Sequence, residues 1–122
     1  MVVRRAMAAL AMPLAMWAGG AAAHEPLPEA RQQALVRMVR HDCGACHGMR
    51  LTGGLGPALT PAALADKPIE SMAATIVHGR PGTPMPPWRA MLDEADARWI
   101  AEQLARGFPE LPPREPSAEA PR

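Results

Sequence analysis

The stretch Cys43-Gly44-Ala45-Cys46-His47 determines how the rest of this chain is interpreted. Two cysteines separated by two residues and followed at once by a histidine are the pattern of covalent haem attachment. One helical turn presents both sulfurs along a haem edge, where they add to the vinyl groups, and the next residue projects its imidazole at the iron. Gly44 and Ala45 are small, so the porphyrin can lie close to the backbone. The motif therefore predicts one haem c, attached through Cys43 and Cys46, with His47 as an iron ligand.

Other cysteine chemistry stays open at this point, because the pattern fixes only three positions. In an exported chain, Cys43 and Cys46 would also be compatible with an ordinary disulfide. A thioredoxin-like redox pair would need a βαβ pattern, and none is visible. A zinc site would need about four ligands, and beyond the motif the mature chain offers only His24, His41 and His78.

The beginning of the chain is typical of a secretory signal. Arg4 and Arg5 supply a positive start, an apolar run follows over Ala6–Trp17, and Ala21–Ala23 ends an A-x-A cleavage pattern. The apolar run is shorter than the about 20 residues that a membrane-spanning helix needs. We therefore expect cleavage before His24 and no membrane association afterwards.

Length and composition predict one small domain. The 122 residues divide into a signal peptide (1–23), a folded domain (24–108) and a proline-rich, disordered tail (109–122). Signal removal changes the formal net charge from +1 to about −1, and no basic patch suggests nucleic acid. The mature part has one Phe, two Trp and no Tyr. So few bulky side chains make a self-sufficient core difficult, and a haem would supply apolar volume.

Hydrophobic periodicity and helix-boundary signals predict four helical segments: Glu29–Arg40, Pro61–Ala65, Ile69–His78 and Glu94–Arg106. Asp93 is a suitable cap for the last helix, and Gly107 is a suitable end. Between the first two segments, residues 48–59 contain four glycines and a proline, which predicts a loop.

A second candidate ligand lies in the proline-rich segment 80–88, where Met85 stands between two prolines. Met85 does not belong to a periodic apolar stripe, whereas Met72 does. A thioether held in a stiff loop is well suited to be an axial ligand, with His78 as the less favoured alternative. Trp88 follows this loop, and it either lines the haem pocket or packs in the core.

The order of these features resembles a class I c-type cytochrome over residues 29–107. The resemblance implies an all-α fold of three to four helices around one covalent haem, with Gly- and Pro-rich loops. By position it makes His47 the proximal ligand and Met85 the distal ligand. Residues 56–59 resemble the G-P-x-L element of that family, in which the carbonyl of Pro57 accepts a hydrogen bond from the proximal imidazole.

Residues 53–61 and 79–88 are similar to a narrower group, the NirC-like periplasmic cytochromes encoded with cytochrome cd-type nitrite reductase in denitrifying bacteria. This similarity implies a monomeric periplasmic electron carrier that donates electrons to nitrite reductase and turns over no substrate of its own. Two alternatives remain open: an accessory role in maturation of the non-covalent haem of the reductase, and a ligand-binding haem protein with a labile methionine.

Overall fold

The computed structural model describes residues 25–111, which form helices joined by loops. The segments are α1 (Glu29–Met38), a π-helical turn (Val39–Cys43), α2 (Gly44–His47), α3 (Pro61–Leu64), α4 (Ile69–His78) and α5 (Glu94–Arg106). No strand occurs among residues 25–111, as predicted for an all-α fold. Within the same range, no helix is long and apolar enough to cross a membrane. The predicted signal peptide and most of the predicted tail lie outside the described residues.

The bounds of α4 and α5 agree with the sequence prediction because each end carries a local signal. Helix α4 begins after Pro68 and ends before Gly79, whose φ of +68° favours glycine. At the start of α5, the side chain of Asp93 accepts a hydrogen bond from the amide of Asp96 at 2.8 Å. The Asp96 side chain accepts one from the amide of Asp93 at 3.3 Å, completing a capping box. Gly107, with a φ of +103°, follows the last residue.

The first helix differs from the prediction, which extended it to Arg40. Regular α-helix ends at Met38, and the chain continues as a π-helical turn that leads into α2. In this turn the amide of Gly44 donates to the carbonyl of Val39, five residues earlier. Such turns are frequent at functional sites, and this one ends at Cys43. No glycine or proline occurs from Glu29 to Cys43, so nothing in the sequence pattern marked the change.

The core lies where α4 packs on α5 and where the end of α1 meets them. Leu35, Val39 and Ile100 are its largest fully buried side chains. Three aromatic residues are only partly buried at its edge: Trp88, Trp99 and Phe108. The core therefore consists mainly of small aliphatic side chains, in keeping with the shortage of aromatic residues in the sequence.

An ion pair joins the first turns of α1 and α5. The Nε of Arg31 donates to one carboxylate oxygen of Asp96 at 2.9 Å, and its Nη2 donates to the other. The same Nη2 also donates to the carbonyl of Met91 at 3.2 Å. Asp96 is buried, and the guanidinium of Arg31 lowers the pKa of this carboxyl below its ordinary value. The pair thus fixes the two terminal helices relative to each other.

Candidate haem-binding site

His47 ends α2, and its ring has one defined hydrogen-bond partner. The Nδ1 of His47 lies 2.7 Å from the carbonyl oxygen of Pro57. A carbonyl only accepts, so Nδ1 carries the proton and donates it. In this tautomer Nε2 has a free lone pair, which is the form in which an imidazole binds a metal. The resemblance to class I cytochromes had implied this hydrogen bond through the G-P-x-L element.

The loop that carries Pro57 is fastened to α2 by backbone hydrogen bonds. The amide of Gly53 donates to the carbonyl of His47 at 2.8 Å, and the amide of Gly56 donates to that of Cys46 at 2.8 Å. A Cβ on Gly56 would lie 2.8 Å from two ring atoms of His47. Glycine at this position therefore lets the loop lie directly against the imidazole and fixes its orientation.

The two cysteines lie on the same helical run, three residues apart. Cys43 is half-buried at the end of the π-helical turn, and Cys46 is exposed in α2. Burial raises the pKa of the Cys43 thiol to about 11, and the carboxylate of Asp42 contributes to the increase. At neutral pH this sulfur is therefore a neutral thiol before a thioether forms.

The described structure offers no support for the other cysteine chemistries. Cys43 and Cys46 are not joined by a disulfide in the described structure, so the disulfide alternative gains no support. Among residues 25–111, no three His, Cys, Asp or Glu side chains come together as a zinc site would require. His24, one of the candidate ligands, lies outside the described residues.

Met85 is half-buried in the loop after α4, and its backbone carbonyl accepts a hydrogen bond. The amide of Arg80 donates to the carbonyl of Met85 at 3.2 Å. A Cβ on Gly79 would lie 2.8 Å from that carbonyl oxygen and 2.7 Å from the carbonyl carbon of Pro86. The loop thus folds back closely on the end of α4. His78, the alternative ligand, is exposed at the last position of that helix.

The side chains of this site fit a haem c by their chemistry. Two thiols on one helical run, an imidazole with its Nε2 lone pair available and a thioether in a fixed loop are the donor set of a c-type haem with two axial ligands. Residues 30–104 also match the family model described as "Cytochrome C oxidase, cbb3-type, subunit III". This chain belongs to the c-type cytochromes. Its cofactor is one haem c, attached through Cys43 and Cys46.

Individual relatives place the cytochrome more narrowly. A protein from Stutzerimonas stutzeri named cytochrome c55X is 49% identical over 109 residues, which cover 88% of this chain and 96% of that protein. A solved structure named c-type cytochrome NirC has 54% sequence identity and a TM-score of 0.65, and the match covers 66% of this chain and 95% of that one. The dihydro-heme d1 dehydrogenase of Pseudomonas aeruginosa is 37% identical over 83 residues, or 68% of this chain but 16% of that enzyme. The cytochrome is therefore NirC-like.

Trp88 lies at the end of the Met85 loop and serves as an anchor for it. The amide of Trp88 donates to the carbonyl of Ile76 at 3.1 Å, and its ring is partly buried against the core. These contacts correspond to the packing alternative. A pocket-lining role for the ring stays a prediction.

Arg40 lies one helical turn before Cys43 in the cytochrome, and its role was not predicted from the sequence. The residue is only 5% exposed. The guanidinium donates to the carbonyls of Phe108 at 2.9 Å and Pro109 at 2.8 Å, and its central carbon lies 5.5 Å from the centre of the Phe108 ring. Arg40 therefore ties the segment after α5 to the attachment motif. Its position four residues after the buried Val36 was the available signal.

Proposed function

We propose that this cytochrome is a periplasmic electron carrier, with His47 and Met85 as the two axial ligands of its haem iron. The observation that carries the proposal is the 2.7 Å contact between Nδ1 of His47 and the carbonyl of Pro57, since it commits Nε2 to the metal. The bound haem supplies one-electron chemistry between the ferrous and ferric states. With both axial positions taken by protein ligands, no open position is left for a substrate.

The ligand pair would also set the reduction potential of the haem. A thioether stabilises ferrous iron relative to a second imidazole, and so raises the reduction potential. Met85 is held by neighbouring backbone, and the ring of His47 is held by Pro57 and Gly56. Rigid ligands move little when the iron changes charge, which favours fast electron transfer. Similarity to NirC supports a cytochrome cd-type nitrite reductase as the electron acceptor.

The acceptor can be tested by stopped-flow mixing of the reduced cytochrome with a cytochrome cd-type nitrite reductase. The mature charge of about −1 gives little long-range steering. We expect a rate that changes only mildly across a salt series, because the residues expected at the haem edge, Ala45, Gly82, Thr83 and Pro86, carry no charge. A rate that falls steeply with salt would indicate a charged docking face. Absence of electron transfer would contradict the reductase as the electron acceptor.

The docking face itself is tested by adding a charge to it. Ala45 is exposed between the two attachment cysteines, and Ala45→Lys should slow the transfer; a visible spectrum of the variant checks that the haem site is intact. Ala30→Lys is the matched control, because Ala30 is also exposed and lies about 20 Å away along the same helical run. Equal rates for the two variants would contradict docking at the attachment motif.

A role in maturation of the reductase is the second candidate, and one comparison favours it. The similarity to part of dihydro-heme d1 dehydrogenase associates this type of domain with an enzyme named for d1 haem. Deletion of this cytochrome from a denitrifying host separates the two roles. A maturation role predicts a reductase that lacks its d1 haem. A carrier role predicts a reductase that contains its d1 haem but receives electrons slowly.

A further inference from the structure

The loop around Met85 has unusually few backbone donors. Prolines occupy positions 81, 84, 86 and 87, and each lacks an amide hydrogen. The amide of Met85 is consequently the single backbone donor between residues 84 and 87. Each proline ring fixes the φ angle of its own residue, whereas the ψ angle of Pro84 and the φ angle of Met85 remain free. Hydrogen bonds at Met85 therefore determine how the loop holds that residue.

Thr83 supplies the partner for this amide. The amide of Met85 donates to the hydroxyl oxygen of Thr83 at 3.3 Å, and the hydroxyl donates to the carbonyl of Arg80 at 2.7 Å. The backbone amide of Thr83 donates to the same carbonyl at 3.0 Å, while the amide of Arg80 donates to the carbonyl of Met85. Arg80, Thr83 and Met85 thus form a closed ring of hydrogen bonds, and the Thr83 hydroxyl is the only side-chain group in it.

We infer that Thr83 is a positioning residue that keeps the thioether of Met85 directed at the iron. This inference rests on the proposed ligand role of Met85. Because the amide and the carbonyl of Met85 are both bonded, the free ψ and φ angles around it are fixed. Without the Thr83 hydroxyl, the amide of Met85 loses its hydrogen bond, whereas the carbonyl of Met85 stays bonded to the amide of Arg80. The ligand then leaves the iron more readily, although the loop keeps its fold.

The test measures how easily an added ligand displaces Met85 from the ferric, haem-loaded cytochrome. Imidazole binds only when the thioether is off the iron, so its apparent affinity reports the strength of that bond. For Thr83→Val, which keeps the shape of the side chain and removes the hydroxyl, we expect binding about threefold tighter. This factor corresponds to about 0.7 kcal/mol, the weaker end of the range for a hydrogen bond, as suits an exposed group. Thr83→Ser should bind imidazole as the unmodified protein does.

A matched control separates positioning from general stability. Thr75 in α4 also donates its hydroxyl to a backbone carbonyl, that of Ser71, at 2.8 Å. Thr75→Val makes the same chemical change outside the loop, so imidazole affinity should stay unchanged. If Thr83→Val binds imidazole like the unmodified protein, or if Thr75→Val shows the same tightening, the positioning role is wrong.

The outcome for Met85→Ala distinguishes failure of this inference from failure of the ligand assignment. Removal of the thioether should give much tighter imidazole binding than either threonine variant. If Met85→Ala leaves imidazole affinity unchanged, Met85 is not the ligand and the proposed site is wrong. If Met85→Ala binds imidazole tightly while Thr83→Val has the imidazole affinity of the unmodified protein, the ligand assignment holds and the role of Thr83 alone is overturned.

Discussion

Replacement of Asp96 by asparagine tests how the terminal helices are held together. Asp96 is 3% exposed, and its carboxylate accepts two hydrogen bonds from Arg31 and one from the amide of Asp93. Asparagine keeps the shape and one acceptor oxygen, but it removes the charge. Hydrogen bonds to charged groups contribute about 1.5–3 kcal/mol each, and water screens this pair because the Arg31 side chain is 37% exposed. We expect Asp96→Asn to lower the free energy of unfolding by about 2 kcal/mol at neutral pH.

The effect of Asp96→Asn should depend on pH in a defined direction. Arg31 lowers the pKa of Asp96 from its ordinary value of 3.8, so the folded state binds a proton less readily than the unfolded state. The stabilisation by the charged pair is therefore fully present above that value and is lost as pH falls through the folded pKa. The difference between the unmodified protein and Asp96→Asn should thus shrink as pH falls below 3.8.

Urea unfolding of the haem-loaded proteins, followed by far-UV circular dichroism at neutral and acid pH, measures both effects. Glu70→Gln serves as the control, because Glu70 pairs with Arg98 at the surface and its side chain is 72% exposed. We expect little change from this variant at either pH. An unchanged unfolding midpoint for Asp96→Asn at neutral pH would refute the reasoning, and so would an equal loss of stability at both pH values.

Three further changes test the site. Without haem attachment, the double variant Cys43→Ala with Cys46→Ala should be largely unfolded, since the core is poor in bulky residues; native helix content and a cooperative melt would contradict this. Arg40→Met should lower the free energy of unfolding by about 2 kcal/mol in a urea titration, and Arg40→Lys by less; equal losses would contradict the carbonyl contacts. Gly56→Ala should destabilise the holoprotein in thermal melts, because a Cβ there would lie 2.8 Å from two ring atoms of His47; an unchanged melting temperature would argue against the close approach.

The parts of the fold that the sequence predicted correctly depend on short-range signals. Helices α4 and α5 have the expected bounds because Pro68, Gly79, Asp93 and Gly107 act on neighbouring backbone groups. The same holds for the attachment motif, whose residues are consecutive. The contact between His47 and Pro57 was expected because the resemblance to class I cytochromes assigns it.

The features that escaped prediction depend on distant parts of the chain or on side-chain geometry. An arginine is usually solvated, so the spacing of Arg40 from Val36 alone does not predict that it is buried. Arg40 is buried because its guanidinium binds backbone carbonyls almost 70 residues later. The π-helical turn that ends at Cys43 follows an uninterrupted helical pattern and has no residue that marks it. In the sequence, Thr83 is a small polar residue in a loop and has no distinguishing feature. Its role follows only from its hydrogen bonds with Arg80 and Met85 in the structure.

The near-infrared spectrum of the ferric protein tests the proposed ligand set most directly. Methionine ligation of ferric haem predicts a charge-transfer band at about 695 nm. Met85→Ala should abolish this band, whereas replacement of the buried Met72 or the exposed Met91 by alanine should leave it in place. A band that is absent from the unmodified protein, or that persists in Met85→Ala, would contradict the assignment of Met85 and with it the closed coordination on which the electron-carrier account depends.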